Sequence, residues 1–112
     1  MKLCIVVGTR PEIIKMSPVV SECISRGIDF FILHTGQHYS HNMDGIFFDE
    51  LGLAKPKHNL SVGSSAFAEQ VSRMLAGFER VLTEEKPDFV LAEGDTNTVL
   101  AAALISTNLH IP

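Results

Sequence analysis

The chain has 112 residues, 46% of them hydrophobic and 20% charged, with nine Lys and Arg against thirteen Asp and Glu for a net charge of −4. That length predicts one domain with a core of its own, and the hydrophobic fraction is too high for disorder. No long basic tract offers the electrostatic footprint of nucleic-acid binding, and the longest apolar run, seven residues from Val99 to Ile105, is far short of the ~20 that a membrane span needs.

Leu3 to Val7 is a continuous apolar, β-branched run ending at Gly8, the pattern of a strand buried on both faces in a parallel sheet. Pro11 suits the first turn of a helix, Ile13, Met16, Val20, Cys23 and Ile24 follow at helical spacing, and Gly27 is a natural C-cap. Pro18 lies inside that helix and is expected to kink it. Asp29 to His34 predicts a second apolar strand, closed by Thr35-Gly36-Gln37-His38. Residues 41 to 51 read as a short helix and His58 to Val62 as a short strand. Ser64 or Ser65 can cap the next helix, whose stripe (Phe67, Val71, Met74, Leu75, Phe78, Val81, Leu82) is the clearest in the chain and ends at Pro87. Asp88 to Glu93 predicts another buried strand, and Gly94-Asp95-Thr96-Asn97 turns into a helix over about residues 97 to 107. The alternation predicts an α/β fold, a Rossmann-like parallel sheet with flanking helices.

Ligands of such sheets bind outside the carboxyl ends of the strands. Polar clusters stand at three of those ends: Gly8-Thr9-Arg10-Pro11-Glu12, His34-Thr35-Gly36-Gln37-His38 and Glu93-Gly94-Asp95-Thr96-Asn97. Parallel strands bring all of them to one edge. Gly8 lets a backbone approach a ligand closely, and the helix N-terminus at Pro11 favours an anion. Arg10 offers a bidentate grip on phosphate or carboxylate, and Lys15, one turn along, reaches the same edge. The plainer reading makes Arg10 and Lys15 solvated charges paired with Glu12 or Glu22. Asp95 reads as a helix cap or first-turn acid, or else as a general base or a hydrogen-bond acceptor for a sugar hydroxyl; the residues leave these open.

Neither GxGxxG nor a Walker-type phosphate loop occurs, and His34, Thr35 and Gln37 stand where a dinucleotide site needs a ribose-binding acid, so a dehydrogenase is not expected. His34, His38 and His41, with Asp44 and Asp49, span a strand end and a loop instead of one helical face, a poor spacing for zinc, and no metal is expected. His58 and His110 read as ordinary surface or strand-edge residues. Cys4 and Cys23 lack CxxC spacing and read as small core residues; with no signal-peptide pattern after Met1-Lys2, a reducing cytoplasm is the expected location.

Gly8-Thr9-Arg10-Pro11-Glu12-Ile13-Ile14-Lys15-Met16-Ser17-Pro18 closely resembles the opening GTRPE-x-IK-x-xP motif of the non-hydrolysing UDP-N-acetylglucosamine 2-epimerases. Thr35-Gly36-Gln37-His38 matches that family's QH motif, and Lys86-Pro87-Asp88 with Gly94-Asp95-Thr96-Asn97-Thr98 its KPD…GDT segment, in order and over the whole chain. The resemblance implies a glycosyltransferase-B type fold of two Rossmann-like domains, this chain being an incomplete N-terminal domain (residues 1–112) without the UDP-binding second one. It implies interconversion of UDP-GlcNAc and UDP-ManNAc for surface polysaccharides, by removal of the C2 proton with elimination of UDP and its re-addition. Neither NAD nor a metal is needed. Carried over by motif, Asp95 is the acid/base candidate, and Gly8, Arg10, Pro11, Lys15 and Thr96 bind substrate. Gln37 and His38 would contact an activating UDP-GlcNAc in members regulated allosterically, often homodimers. Some members have Arg-Gln where this chain has Ser64-Ser65, a departure that counts against such regulation here.

The family's next motif, an HVEAGLR-type segment with essential glutamates, falls beyond Pro112, so the segment is expected to be inactive alone. Two other readings compete: one subunit of a split glycosyltransferase-B enzyme, and a non-catalytic module that binds a sugar nucleotide.

Overall fold

The computed structural model describes residues 1–37, 48, 49, 52 and 54–112. Four parallel strands, β1 (Lys2–Val7), β2 (Asp29–His34), β3 (His58–Asn59) and β4 (Phe89–Leu91), lie in the order β3-β2-β1-β4. The helices with defined bounds are α1 (Arg10–Arg26), α2 (Phe67–Glu85) and α3 (Asn97–Asn108). The chain builds outward from β1 through β2 to β3, then returns to place β4 on β1's other side. That reversal puts a topological switch point between β1 and β4, where α/β sheets open a crevice for ligands.

From Leu3 to Val7 β1 is apolar because both of its faces are covered. Leu3, Ile5 and Val7 pack with Ile32 against Ile13, Met16, Val20 and Cys23 of α1. Cys4 and Val6 pack with Phe31 and Leu33 against Val71, Met74, Phe78, Val81 and Leu82 of α2 and Ala101, Ala102 and Ile105 of α3. Met74 and Phe78 are fully buried, and each contributes about 2–3 kcal/mol of apolar transfer. α1 ends as its sequence predicts, at Gly27 in the left-handed region with φ 64, its amide donating to the Ile24 carbonyl.

α1 continues through Pro18 to Arg26; Ile14 and Pro18 share its exposed side, so the carbonyl that loses its donor faces solvent. Several other expectations need correction. Neither Ser64 nor Ser65 caps α2: the N-cap is Ala66, with no side-chain cap bond, and Phe67 is exposed instead of continuing the stripe. β3 stops after two residues because Asn59 Oδ1 accepts the Ser61 amide at 2.8 Å in an Asx-type turn and Ser61 takes φ 51. The Leu60 and Val62 amides nevertheless donate to the carbonyls of His34 and Thr35, both at 2.9 Å. β4 is shorter than residues 88–93 and only half-buried, with Phe89 41% exposed, because it is the outermost described strand. On its outer side the Val90 amide donates to the Pro112 carbonyl at 2.9 Å. The helix expected at 41–51 lies almost wholly outside the described residues. Among the described residues no helix is long and apolar enough to cross a membrane.

The amino ends of the strands carry an ionic cluster. Glu85, its side chain 14% exposed, faces Lys57 Nζ at 2.8 Å, His58 Nε2 at 3.4 Å and Lys2 Nζ at 3.6 Å. The Lys57 hydrogen bond, helped by His58 and the charge of Lys2 and opposed by burial, holds the Glu85 carboxyl below the usual range. Burial, aided by Glu85, pushes the Cys4 thiol up to about 12, so it stays protonated and inert at neutral pH. A carboxylate depressed on folding contributes stability above its unfolded pKa, and that contribution is lost as pH falls through the folded value. Glu85→Gln should therefore lower stability near neutrality by roughly 1–3 kcal/mol. Urea unfolding between about pH 6 and pH 3 should show a shallower acid loss for the variant than for the parent chain.

Candidate functional site

The carboxyl end of β1 passes through Gly8 into α1, with Thr9 extended at the N-cap (φ −136, ψ 162) and Pro11 in the first turn. Glu12, in the third helical position and 3% exposed, reaches back so that Oε1 accepts the amides of Gly8 at 2.9 Å and Thr9 at 3.0 Å. This is the carboxylate half of a capping box. Its other oxygen looks across the switch point: Thr96 Oγ1, at the start of α3, donates to Glu12 Oε2 at 2.6 Å. Glu12 thus joins the ends of β1 and β4, a link between residues 84 apart.

A second buried network joins the segment after β2 to the start of α3, across the end of β1. Thr98 donates to Gln37 Oε1 from its hydroxyl at 2.7 Å and from its backbone amide at 3.3 Å. Its single hydroxyl proton being spent there, the Thr35 hydroxyl donates to Thr98 Oγ1 at 2.9 Å, and the Gln37 amide closes the ring on Thr35 Oγ1 at 3.3 Å. Thr35, Gln37 and Thr98 are all buried. Gly8 sits beneath them: a Cβ there would lie 2.1 Å from Thr98 Oγ1 and 2.5 Å from Thr35 Oγ1. The glycine admits these hydroxyls, where the sequence suggested a close approach by ligand.

The strand-end residues have separate settings. Asp95 is exposed, on the turn between Gly94 (φ 116) and Thr96, and makes no hydrogen bond or ion pair among the described residues. The cap reading of Asp95 fails, because the N-cap of α3 is Thr96. Arg10 is half-buried in the first turn of α1, and Pro11 is exposed beside it. Lys15 pairs with Glu93 at 3.5 Å, both side chains about half exposed, and Glu22 pairs with Arg26; neither lysine nor arginine of the motif takes the partner the plainer reading gave it in Glu22. An exposed pair of that kind holds little energy, leaving Lys15 able to exchange Glu93 for an anion. His38 lies outside the described residues.

Gln37 is on the expected edge, but its carbonyl oxygen holds the first turn of α3. His34 is fully buried and its Nδ1 accepts the Gly36 amide at 2.8 Å. His41 and Asp44 lie outside the described residues, among which no group of three His, Cys, Asp or Glu is placed to hold a metal ion. Sequence reasoning missed the bridging role of Glu12 and the buried pair Thr35 and Thr98. The Thr9-x-x-Glu12 spacing signals the cap. Nothing in the spacing signals the bond to Thr96. It also missed Gln70, which donates to the Gly63 carbonyl and accepts from Asn97 Nδ2, both at 2.8 Å, tying α2 to the start of α3.

Comparison with known proteins gives a consistent result. Residues 22–112 match the family model described as UDP-N-acetylglucosamine 2-epimerase. A UDP-N-acetylglucosamine 2-epimerase of Methanocaldococcus jannaschii is 56% identical over 111 residues, which are 99% of this chain and 30% of the relative. A crystal structure of the UDP-GlcNAc 2-epimerase from that organism, in complex with UDP-GlcNAc and UDP, superposes with TM-score 0.94 at 56% identity over 99% of this chain and 31% of the other. A glycosyltransferase from Streptomyces sp. SF2575, SsfS6, shares the fold at 19% identity and TM-score 0.67, over 100% of this chain and 38% of its own. The chain thus spans about 30% of the length of the curated epimerases it matches.

The close packing at the strand ends can be tested through stability. Gly8→Ala should destabilise the chain by roughly 2 kcal/mol or more, since neither threonine can move without opening the ring. The readout is the urea midpoint, and an unchanged midpoint would mean that the hydroxyl pair yields freely.

Proposed function

The chain belongs to the UDP-N-acetylglucosamine 2-epimerase family, and from that premise we propose that it is the N-terminal part of an enzyme interconverting UDP-GlcNAc and UDP-ManNAc. The observation that carries the reading is the placement of Asp95. Its carboxylate is exposed on the turn after β4, at the switch point, on the same edge as the cationic first turns of α1. An anionic sugar nucleotide needs a positive wall, and its C2 proton needs a base. This edge offers both.

In this reading Arg10 and Lys15 attract the diphosphate, assisted by the N-terminus of α1, with Gly8, Pro11 and Thr96 forming the wall. A carboxylate removes the C2 proton, the C–H electrons form the C1–C2 double bond, and the C1–O bond breaks to release UDP. Re-addition of UDP with protonation on the opposite face gives the epimer. The sequence is redox-neutral and asks for no nicotinamide or metal. One carboxylate cannot serve both faces of the ring, so Asp95 takes one proton transfer and a group outside these residues takes the other.

The same proposal places a second, UDP-binding domain across the crevice, with the whole enzyme a cytoplasmic homodimer that supplies polysaccharide synthesis. Gln37 and His38 remain its candidates for contact with a regulatory UDP-GlcNAc; with the Gln37 oxygen committed to Thr98, its amide NH2 is the group that would serve.

In the complete enzyme, Asp95→Asn should leave the fold intact, because the side chain holds no bond among the described residues, and should lower turnover by about a hundredfold or more. Near-normal turnover would remove Asp95 from the acid–base step. The 112-residue segment by itself should give neither UDP-ManNAc nor free UDP from UDP-GlcNAc, and should bind UDP weakly in calorimetry. Tight UDP binding would favour the non-catalytic module, and turnover would defeat the claim that a second domain is needed.

A further inference from the structure

Among the described residues Asp95 makes no side-chain hydrogen bond or ion pair, so its carboxylate takes its position from its backbone. That backbone is anchored beside Asp95 by one buried group: Thr96 Oγ1 donates to Glu12 Oε2 at 2.6 Å. Gly94, at φ 116, leaves room on the Glu12 side, where an added Cβ would stand 3.6 Å from Oε2, an ordinary van der Waals distance.

Helix capping does not explain this arrangement. The cap of α1 uses Glu12 Oε1, on the amides of Gly8 and Thr9, and asks nothing of Oε2. The Thr96 hydroxyl occupies the N-cap position of α3 yet makes no cap bond to that helix. The Thr96 hydroxyl and Glu12 Oε2 are paired with each other by a short bond.

We propose that Glu12 is a positioning residue for Asp95, clamping the Gly94-Asp95-Thr96 turn to the end of β1 so that the carboxylate stands at a fixed distance from the first turn of α1. The proposal rests on the acid–base reading of Asp95 given above. The clamp spans the switch point itself: one oxygen fixes the strand whose helix carries Arg10 and Lys15, the other fixes the turn that carries the base. A base displaced by about 1 Å from its reacting geometry can lose about a hundredfold in rate while the binding groups stay in place.

The test uses the complete enzyme. Thr96→Val removes the hydroxyl at nearly constant volume and leaves the Glu12 cap intact. It should lower kcat by about tenfold to a hundredfold while KM changes by less than about threefold. Thr96→Ser, which keeps the hydroxyl, should recover most of the kcat that Thr96→Val loses. Glu12→Gln, similar in volume, is the second variant should Thr96→Val melt below the assay temperature; its oxygen can keep the cap while its NH2 donates to the Thr96 hydroxyl, so a smaller loss, again in kcat more than KM, is expected. Combining the two should cost no more than the worse single change, because both act on one link.

Unchanged kcat in Thr96→Val, a loss confined to KM, equal losses in the valine and serine variants, or multiplying losses in the double variant would each overturn the clamp. Asp95→Asn, run alongside, separates the two claims. If it abolishes turnover while Thr96→Val spares it, the clamp falls and the acid–base reading stands. If Asp95→Asn is near normal, the acid–base reading falls and takes the clamp with it.

Discussion

Thr35 and Thr98 bring their hydroxyls within 2.9 Å of each other in space that any side chain at residue 8 would fill. The strand-end edge depends on that meeting. With glycine at the end of the central strand, the segment after β2 and the start of α3 close over β1, and Gln37 completes a ring of hydrogen bonds in which each buried hydroxyl is satisfied. Buried polar groups are costly unless so paired, and once paired they fix their neighbours closely. The ring sets where α3 begins. Glu12 then sets how the turn before α3 meets β1. Cationic and acidic residues from distant parts of the sequence share one edge because these two networks leave the strand ends little other choice.

The sheet divides its electrostatics between its two ends. At the amino ends Glu85 gathers Lys2, Lys57 and His58 into a cluster that closes upon itself. At the carboxyl ends the buried Glu12, Thr35 and Thr98 side chains are all hydrogen-bonded, while Asp95 and Lys15 remain at the surface. One end closes its charges within the fold; the other leaves charged side chains at the surface.

Much of the architecture was legible in the residues. β1 announced itself because a strand covered on both faces must be apolar at every position, and α1 because Pro11 and Gly27 frame a helical stripe. The stripe of α2 was read correctly from Val71 onward and wrongly at Phe67, since periodicity alone does not reveal where the partner layer stops. β4 was read too long: its apolar residues suggested burial, but burial depends on neighbouring strands that a local pattern cannot count. The strand-end clusters were found because parallel topology brings them to one edge. The bonds inside them were not, since Glu12 to Thr96 and Gln37 to Thr98 join residues more than sixty positions apart, between side-chain types common at any helix start. Gln37 shows the cost most plainly: its motif suggested a contact with ligand, whereas its oxygen is committed to holding a helix.

The two cysteines belong to different cores, Cys4 on β1 facing α2 and α3, Cys23 on the buried face of α1 on the other side of the sheet. A disulfide requires its α-carbons within about 7 Å and its side chains facing each other, which a thiol on each side of a sheet cannot meet. The folded chain therefore cannot cross-link itself by oxidation, and both thiols are shielded from reagents in solution. Only a molecule whose layers have come apart can form that bridge or take up an alkylating label. The pair acts as an internal recorder of unfolding, silent while the sheet separates it and marked irreversibly once it does not.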